Sequence, residues 1–196
     1  MSTPLSSNFL LVEDNPKSIK QILPFFLIII LEDYNLDLRV VDLKGTEIQA
    51  FSVLSVAEHS AKEIASKTDD AFIVEDSGIY VNSLYGFPGP YSAFVYKTIG
   101  LGGIVRLLKN REDKTAEFHS ALVYGDKGKI VKSFIGICEG TVSTDLQGEL
   151  GFGYDPIFIP KGKNKTFAEM ELKEKNQISH RSKAARIFAE WLENNK

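Results

Sequence analysis

The sequence predicts an α/β fold, and three observations carry that expectation. The run Ala71-Phe72-Ile73-Val74 leads straight into two adjacent carboxylates, Glu75 and Asp76, as in a strand buried on both faces. Before it, Val53, Val56, Ala57, Ala61, Ile64 and Ala65 follow a helical period. A helix leading back to a strand is the repeating unit of α/β proteins. Further along, Ala116–Tyr124 and Lys129–Val142 read as strands joined by Gly125-Asp126-Lys127-Gly128, a hairpin signal.

The chain has 196 residues, 43% of them hydrophobic and 25% charged, which suits one large domain spanning 1–196, or two closely joined lobes, with a sizeable core. Its net charge of -3 argues against a general nucleic-acid binder, which needs a basic face, but leaves room for a local phosphate pocket. Cys138 is the one cysteine, so neither an intrachain disulfide nor a cysteine metal cluster can form. It lies in an alternating run and is expected in the core.

Taken in order, residues 1–8 are serine-rich and expected to be loose, and Phe9–Val12 is a first strand. Glu13-Asp14-Asn15-Pro16 breaks it. A helix follows from Lys17 with Ile19, Ile22 and Leu23 on one face, and Pro24 ends or kinks it. Phe25–Leu31 is helix or strand; periodicity does not decide. The run Ile22–Leu31 is too short to span a bilayer. It matches the apolar region of a signal peptide in length, but acidic residues precede it and no small-residue cleavage site follows. It is read as buried, and the chain as cytoplasmic with no membrane partner.

Leu36–Leu43 alternates as a strand, and the loop Lys44–Gln49 carries Glu47. After the strand at 71–75, Ser77-Gly78 reads as the turn that ends it, placing Glu75 and Asp76 at its mouth, where α/β sheets bind ligands. Paired carboxylates there suit a divalent cation and proton abstraction from water; an ordinary polar strand end fits Glu75 equally well. Tyr80–Leu84 is a short strand. Gly86-Phe87-Pro88-Gly89-Pro90-Tyr91 is a rigid loop, followed by a helix through Tyr96 and another through Ile104, Val105, Leu107 and Leu108. The long hairpin suggests a second lobe at roughly 115–150. Gly151-Phe152-Gly153-Tyr154-Asp155-Pro156 forms a second rigid loop, Ile157–Ile159 a brief strand, and Lys161, Lys163 and Lys165 a solvated loop. A final helix spans Ser179–Leu192, capped by Ser179, with Ala184, Ile187, Phe188, Trp191 and Leu192 on its apolar face. His180 and Arg181 fall in its first turn, beside free backbone amides.

Three groups would have to meet. Glu47, Glu75 and Asp76 could hold a metal; Phe152–Asp155 could stack on a base; Lys175, His180 and Arg181 could donate to a base or phosphate. The stretches Glu47-Ile48-Gln49, Val74–Gly78, Gly86–Tyr91, Gly151–Pro156, Thr166-Phe167-Ala168-Glu169-Met170, Glu174-Lys175-Asn176 and Ser179-His180-Arg181 occur in order. On these the chain resembles the inosine triphosphate pyrophosphatase family, closest in spelling to archaeal members.

The resemblance implies a long curved mixed sheet with helices, two lobes around a central nucleotide cleft, Mg²⁺ and a homodimer. It implies hydrolysis of ITP, dITP or XTP to the monophosphate and pyrophosphate. Glu47 and Asp76 match metal positions, and Asp76 also the catalytic proton acceptor. Asn15 and Lys17 fall in the stretch that holds the triphosphate, and Ser77 in the substrate stretch. Phe152, Gly153, Tyr154, Asp155, Lys175, His180 and Arg181 match base-side positions. The N-terminal loop departs from the family pattern: Glu13 stands at a threonine position and Ser18 at a lysine position, with Lys17 one residue early. Carboxylates beside a triphosphate repel it, so a nucleotide-binding protein of the same fold with weak or no turnover is the competing expectation.

Overall fold

The computed structural model describes residues 8–12, 31, 34, 36–41, 43, 45–46 and 48–195. Among them are seven strands and five α-helices. In chain order they are β1 (Asn8–Val12), β2 (Asp37–Val41), α1 (Val53–Ala65), β3 (Phe72–Val81), β4 (Pro88–Gly89), α2 (Ser92–Thr98), α3 (Gly100–Leu108), β5 (Thr115–Asp126), β6 (Lys129–Val142), β7 (Phe158–Pro160), α4 (Leu172–Ile178) and α5 (His180–Glu193). The expected helix from Lys17 lies outside the described residues. So does the run Ile22–Leu31 apart from Leu31, which is fully buried.

One mixed sheet joins the strands in the order β2-β1-β3-β5-β6-β7, with β4 paired to β3. The β1 strand runs parallel to β2 and β3, whereas β3–β5, β5–β6 and β6–β7 are antiparallel. Parallel neighbours need a crossover, and α1 precedes β3 as expected. The β5–β6 hairpin closes through Lys127 and Gly128, both at positive φ (52° and 71°), the conformation a two-residue hairpin turn requires. Its tip is tied back to the main sheet, because Lys127 N donates to Asp69 O at 3.1 Å.

Two expectations about β3 are corrected. Ser77-Gly78 does not end the strand, which continues for ten residues to Val81. Ser77 pairs with Ser120 and Gly78 with His119. Glycine serves close approach rather than turning: a Cβ on Gly78 would lie 2.1 Å from Gly89 O, so β4 can cross there only because the side chain is absent. Ser92 locks the crossing by donating to Gly89 O at 2.6 Å and accepting from Ile79 N at 2.9 Å. The separate strand expected at Tyr80–Leu84 is therefore the end of β3 followed by a 3₁₀ turn, Asn82–Leu84.

Because β3 alternates, its even and odd residues face opposite sides. Phe72 and Val74 pack with Val53, Ala57, Ala61 and Ile64 of α1. Ile73 packs with Phe9, Leu122, Tyr124 and the Ala184, Phe188 and Leu192 face of α5. Further along the odd side, Ile79 and Val81 join Ile104, Phe118, Cys138, Phe158 and Phe167. Cys138 is buried as expected, and burial pushes its thiol up to about 11. Ile187, expected on the apolar face of α5, is instead 45% exposed. No helix among the described residues is long and apolar enough to cross a membrane.

Candidate active site

The same alternation separates the two carboxylates that are neighbours in sequence. Glu75 and Ser77 face α5, and Asp76 faces α1, so they do not converge as the expected pair. Their backbone lies deep within a continuous strand, not at its mouth.

On the α5 side, the expected base-binding residues do meet. The α5 helix begins against the sheet because Ser179 caps it, accepting from Ser182 N at 3.2 Å. Gly136 of β6 leaves room: a Cβ there would lie 2.0 Å from His180 O and 2.4 Å from Ala184 N. This close seating delivers His180 to β5 and Arg181 to β3. Arg181 Nε lies 3.2 Å from Glu75 Oε1, with the two side chains 12% and 14% exposed. Arg181 Nη2 donates to Ser77 Oγ. Ser120 Oγ, on β5, donates to Glu75 Oε1 at 2.7 Å.

A second ion pair lies alongside. Lys175 of α4 donates to Asp155 Oδ2 at 2.5 Å, and both side chains are almost fully buried. The same Asp155 oxygen accepts from Phe152 N at 2.7 Å, holding the glycine-flanked loop in place. Burial pushes the Lys175 ammonium below its ordinary range, while the Asp155 carboxylate pulls it back up. The Phe152 ring is flanked by both cations, with Lys175 Nζ at 4.8 Å and Arg181 Cζ at 5.2 Å from its centroid. Gly153 adopts φ 59° with open space where a Cβ would stand. Tyr154 belongs to the core: it is 5% exposed, its hydroxyl donates to Ser92 O at 2.8 Å, and burial raises its pKa. Of the two aromatics in this loop, Phe152 is the one on the cation side.

His180 is buried, with its ring stacked on Phe118 at 4.5 Å and 7°. Burial, reinforced by Arg181 and Lys175, holds its imidazole well below the ordinary range, so it is neutral at pH 7. Arg181 Nη1 lies 3.3 Å from His180 Nε2. A guanidinium can only donate, so Nε2 accepts and the ring proton sits on Nδ1. That Nδ1 is buried and has no hydrogen-bond partner among the described residues.

On the α1 side, Asp76 shares its face with Tyr80. Tyr80 OH accepts from Val53 N at 2.9 Å, tying β3 to the first turn of α1. Burial raises the Tyr80 pKa, and the negative charge of Asp76 raises it further. The loop before α1 is anchored where Thr46 N donates to Glu63 Oε2 at 2.6 Å and Gly45 packs against buried Ser60. Glu47, Asn15 and Lys17 lie outside the described residues. Among those residues, no three His, Cys, Asp or Glu side chains form a metal cluster.

Sequence reasoning missed Ser120, Gly136 and Tyr80. Ser120 had a legible signal, a hydroxyl between the inward-facing Phe118 and Leu122. So did Gly136, a glycine inside a long strand, which marks close backbone approach.

An open mixed sheet with cations and a flanked aromatic on one face of a strand, and a carboxylate on the other, defines the class: a mixed α/β protein with its charged side chains gathered about the central strand β3. The matching family model is described as the Ham1 family and covers residues 12–191; the chain belongs to that family. It is 46% identical over 166 residues to the dITP/XTP pyrophosphatase of Methanopyrus kandleri, covering 85% of this chain and 88% of that protein. It is 44% identical over 184 residues to the dITP/XTP pyrophosphatase of Thermococcus kodakarensis, covering 94% and 96%. Its fold superposes on the Staphylococcus aureus Ham1 protein with a TM-score of 0.79 at 26% identity, covering 96% of this chain and all of that one.

Proposed function

We propose that this chain hydrolyses non-standard purine nucleoside triphosphates, ITP, dITP and XTP, to the monophosphate and pyrophosphate, clearing deaminated purines from the nucleotide pool. Relatives bearing the dITP/XTP pyrophosphatase name match nearly the whole chain. The observation that carries the reading is the division of β3, with Arg181 meeting Glu75 and Ser77 on one face and the Asp76 carboxylate on the other.

In this reading Phe152 stacks on the base, and Lys175, His180 and Arg181 meet its edge. Inosine and xanthine carry an acceptor oxygen at position 6, where adenine carries an amino group. Arg181 only donates, as does the protonated Nδ1 of His180. Adenine therefore leaves donors unpaired, at a cost of about 1–3 kcal/mol, or one to two decades of discrimination. Asp76 accepts the proton of the water that attacks the α-phosphorus.

Oxygen ligands of the Asp and Glu type fit a hard divalent cation. Asp76 and Glu47 would hold Mg²⁺, which neutralises charge on the phosphate oxygens when bound. Asn15 and Lys17 would contact the triphosphate. The reading includes a homodimer, a cytoplasmic location, and a second lobe built on roughly 115–150.

The test is pyrophosphate release from ITP, XTP, dITP, ATP and GTP with Mg²⁺, comparing wild type with Asp76→Asn. Release from the first three, little from ATP, and a loss of about 10²–10⁴-fold in the variant are expected; guanine also carries an oxygen at position 6, so GTP reports on contacts at position 2. ITP binding without release by the wild type would defeat the hydrolase and leave a nucleotide-binding protein.

A further inference from the structure

Glu75 is the carboxylate that the proposed reaction leaves unused. We propose that Glu75, held by the buried hydroxyl of Ser120, is a positioning residue that fixes the Arg181 guanidinium and so sets the preference for purines with an oxygen at position 6. This rests on the reading of Arg181 as a base contact.

The strand's alternation removes Glu75 from the Asp76 face, so it cannot share a cation with Asp76 while the strand is intact. On its own face it meets two groups. Ser120 is fully buried and donates to Oε1 at 2.7 Å, which fixes the carboxylate from the neighbouring strand. Arg181 Nε lies 3.2 Å from the same oxygen. Arg181 Nη2 reaches Ser77 Oγ, two residues along β3, so the guanidinium spans one strand face from residue 75 to residue 77.

Charge makes the arrangement specific. Both cations beside the Phe152 ring have their own carboxylate, Asp155 for Lys175 and Glu75 for Arg181. The Arg181–Glu75 pair is nearly out of water, so its attraction is weakly screened. Without the charge on Glu75, Asp155 is the remaining carboxylate beside the Phe152 ring among the described residues, and Arg181 is drawn across the ring toward it. Its donors then no longer match a purine oxygen. Ser120 acts one step further out: without its hydroxyl, Glu75 keeps its charge but loses its fixed rotamer.

The test compares Glu75→Gln, Ser120→Ala and Arg181→Met for kcat and KM on dITP and dATP, with the Mg²⁺ concentration for half activation and the melting temperature measured for each. Glu75→Gln is expected to raise KM for dITP and cut the dITP-over-dATP preference by about tenfold, between the size of an exposed and of a fully buried ion pair. Ser120→Ala, which removes one oxygen and leaves the fold in place, is expected to cut it about threefold, less than the full worth of the hydroxyl–carboxylate hydrogen bond because Glu75 keeps its charge beside Arg181. The Mg²⁺ requirement should not move in either. If Glu75→Gln does not fold, Ser120→Ala carries the test alone. An unchanged preference in both, with Arg181→Met abolishing it, overturns the positioning role and leaves the base-reading role of Arg181 intact. An unchanged preference in Arg181→Met overturns that reading and the proposal with it. A raised Mg²⁺ requirement with preference intact would assign Glu75 to the metal instead.

Discussion

The two faces of β3 handle charge differently over three consecutive residues. On the α5 face, Glu75 and Ser77 meet Arg181, and the neighbouring Lys175–Asp155 pair is more deeply buried still. On the α1 face, Asp76 stands near Tyr80, whose hydroxyl is occupied by the backbone of Val53. The first face is a rigid set of compensated charges, suited to recognising a shape. The second holds the carboxylate to which the proposed reaction assigns the proton transfer. A strand can do both within three residues because it places neighbours on opposite sides, whereas a helix would have turned all three through one broad arc.

Removing one partner of the deeper pair breaks the rigid side most severely. Lys175→Met leaves the Asp155 carboxylate buried without its cation, and a loss of about 3–5 kcal/mol is expected by chemical denaturation. Adding Asp155→Asn should recover part of it. A loss below 1 kcal/mol would mean the pair behaves like a surface one, and the contrast between the faces would fail.

Gly136→Ala tests how α5 is seated. The new methyl would overlap His180 O and Ala184 N, forcing the helix start away from the sheet. A cost of about 1–3 kcal/mol is expected, together with weaker discrimination between dITP and dATP but an intact response to Asp76→Asn.

The smallest effect is acid sensitivity from His180. Its folded-state pKa lies well below the ordinary 6.5. As pH falls below 6.5, the unfolded chain binds a proton that the folded chain refuses, so stability falls with falling pH, by at most about 1.4 kcal/mol per unit. Above 7.5 the contribution is flat. Urea midpoints at pH 7.5, 6.5 and 5.5 would show the slope, and His180→Asn should remove it.

Much of this architecture was legible in the sequence. The periodicity of residues 53–65, the glycine-closed hairpin and the Ser179 cap each reflect local physics that a short window contains. The residues proposed for the base side were legible as motifs, although Phe152 and Tyr154 separate only in three dimensions, where one rests beside cations and the other fills the core. The turn expected at Ser77-Gly78 failed because a glycine can serve a tight turn or a close crossing, and only the position of Gly89 decides. The pairing of Glu75 with Asp76 failed because adjacency in sequence was read as adjacency in space. Helix α4 carried no clear apolar stripe; of its residues Leu172–Ile178, Lys175 is the buried one.

The crossing of β4 over Gly78 also bears on inheritance. Sliding β3 by one residue against β5 would exchange its faces, sending Asp76 toward α5 and Glu75 toward α1. Such a slip would also carry a side-chain-bearing residue, Ser77 or Ile79, under Gly89, where a Cβ has no room, and would unmake the Ser92 link to Ile79. Gly78 thus works as an indexing mark. Single-residue insertions or deletions between Phe72 and Gly78 should be purged from descendants of this chain more strictly than substitutions at the same sites.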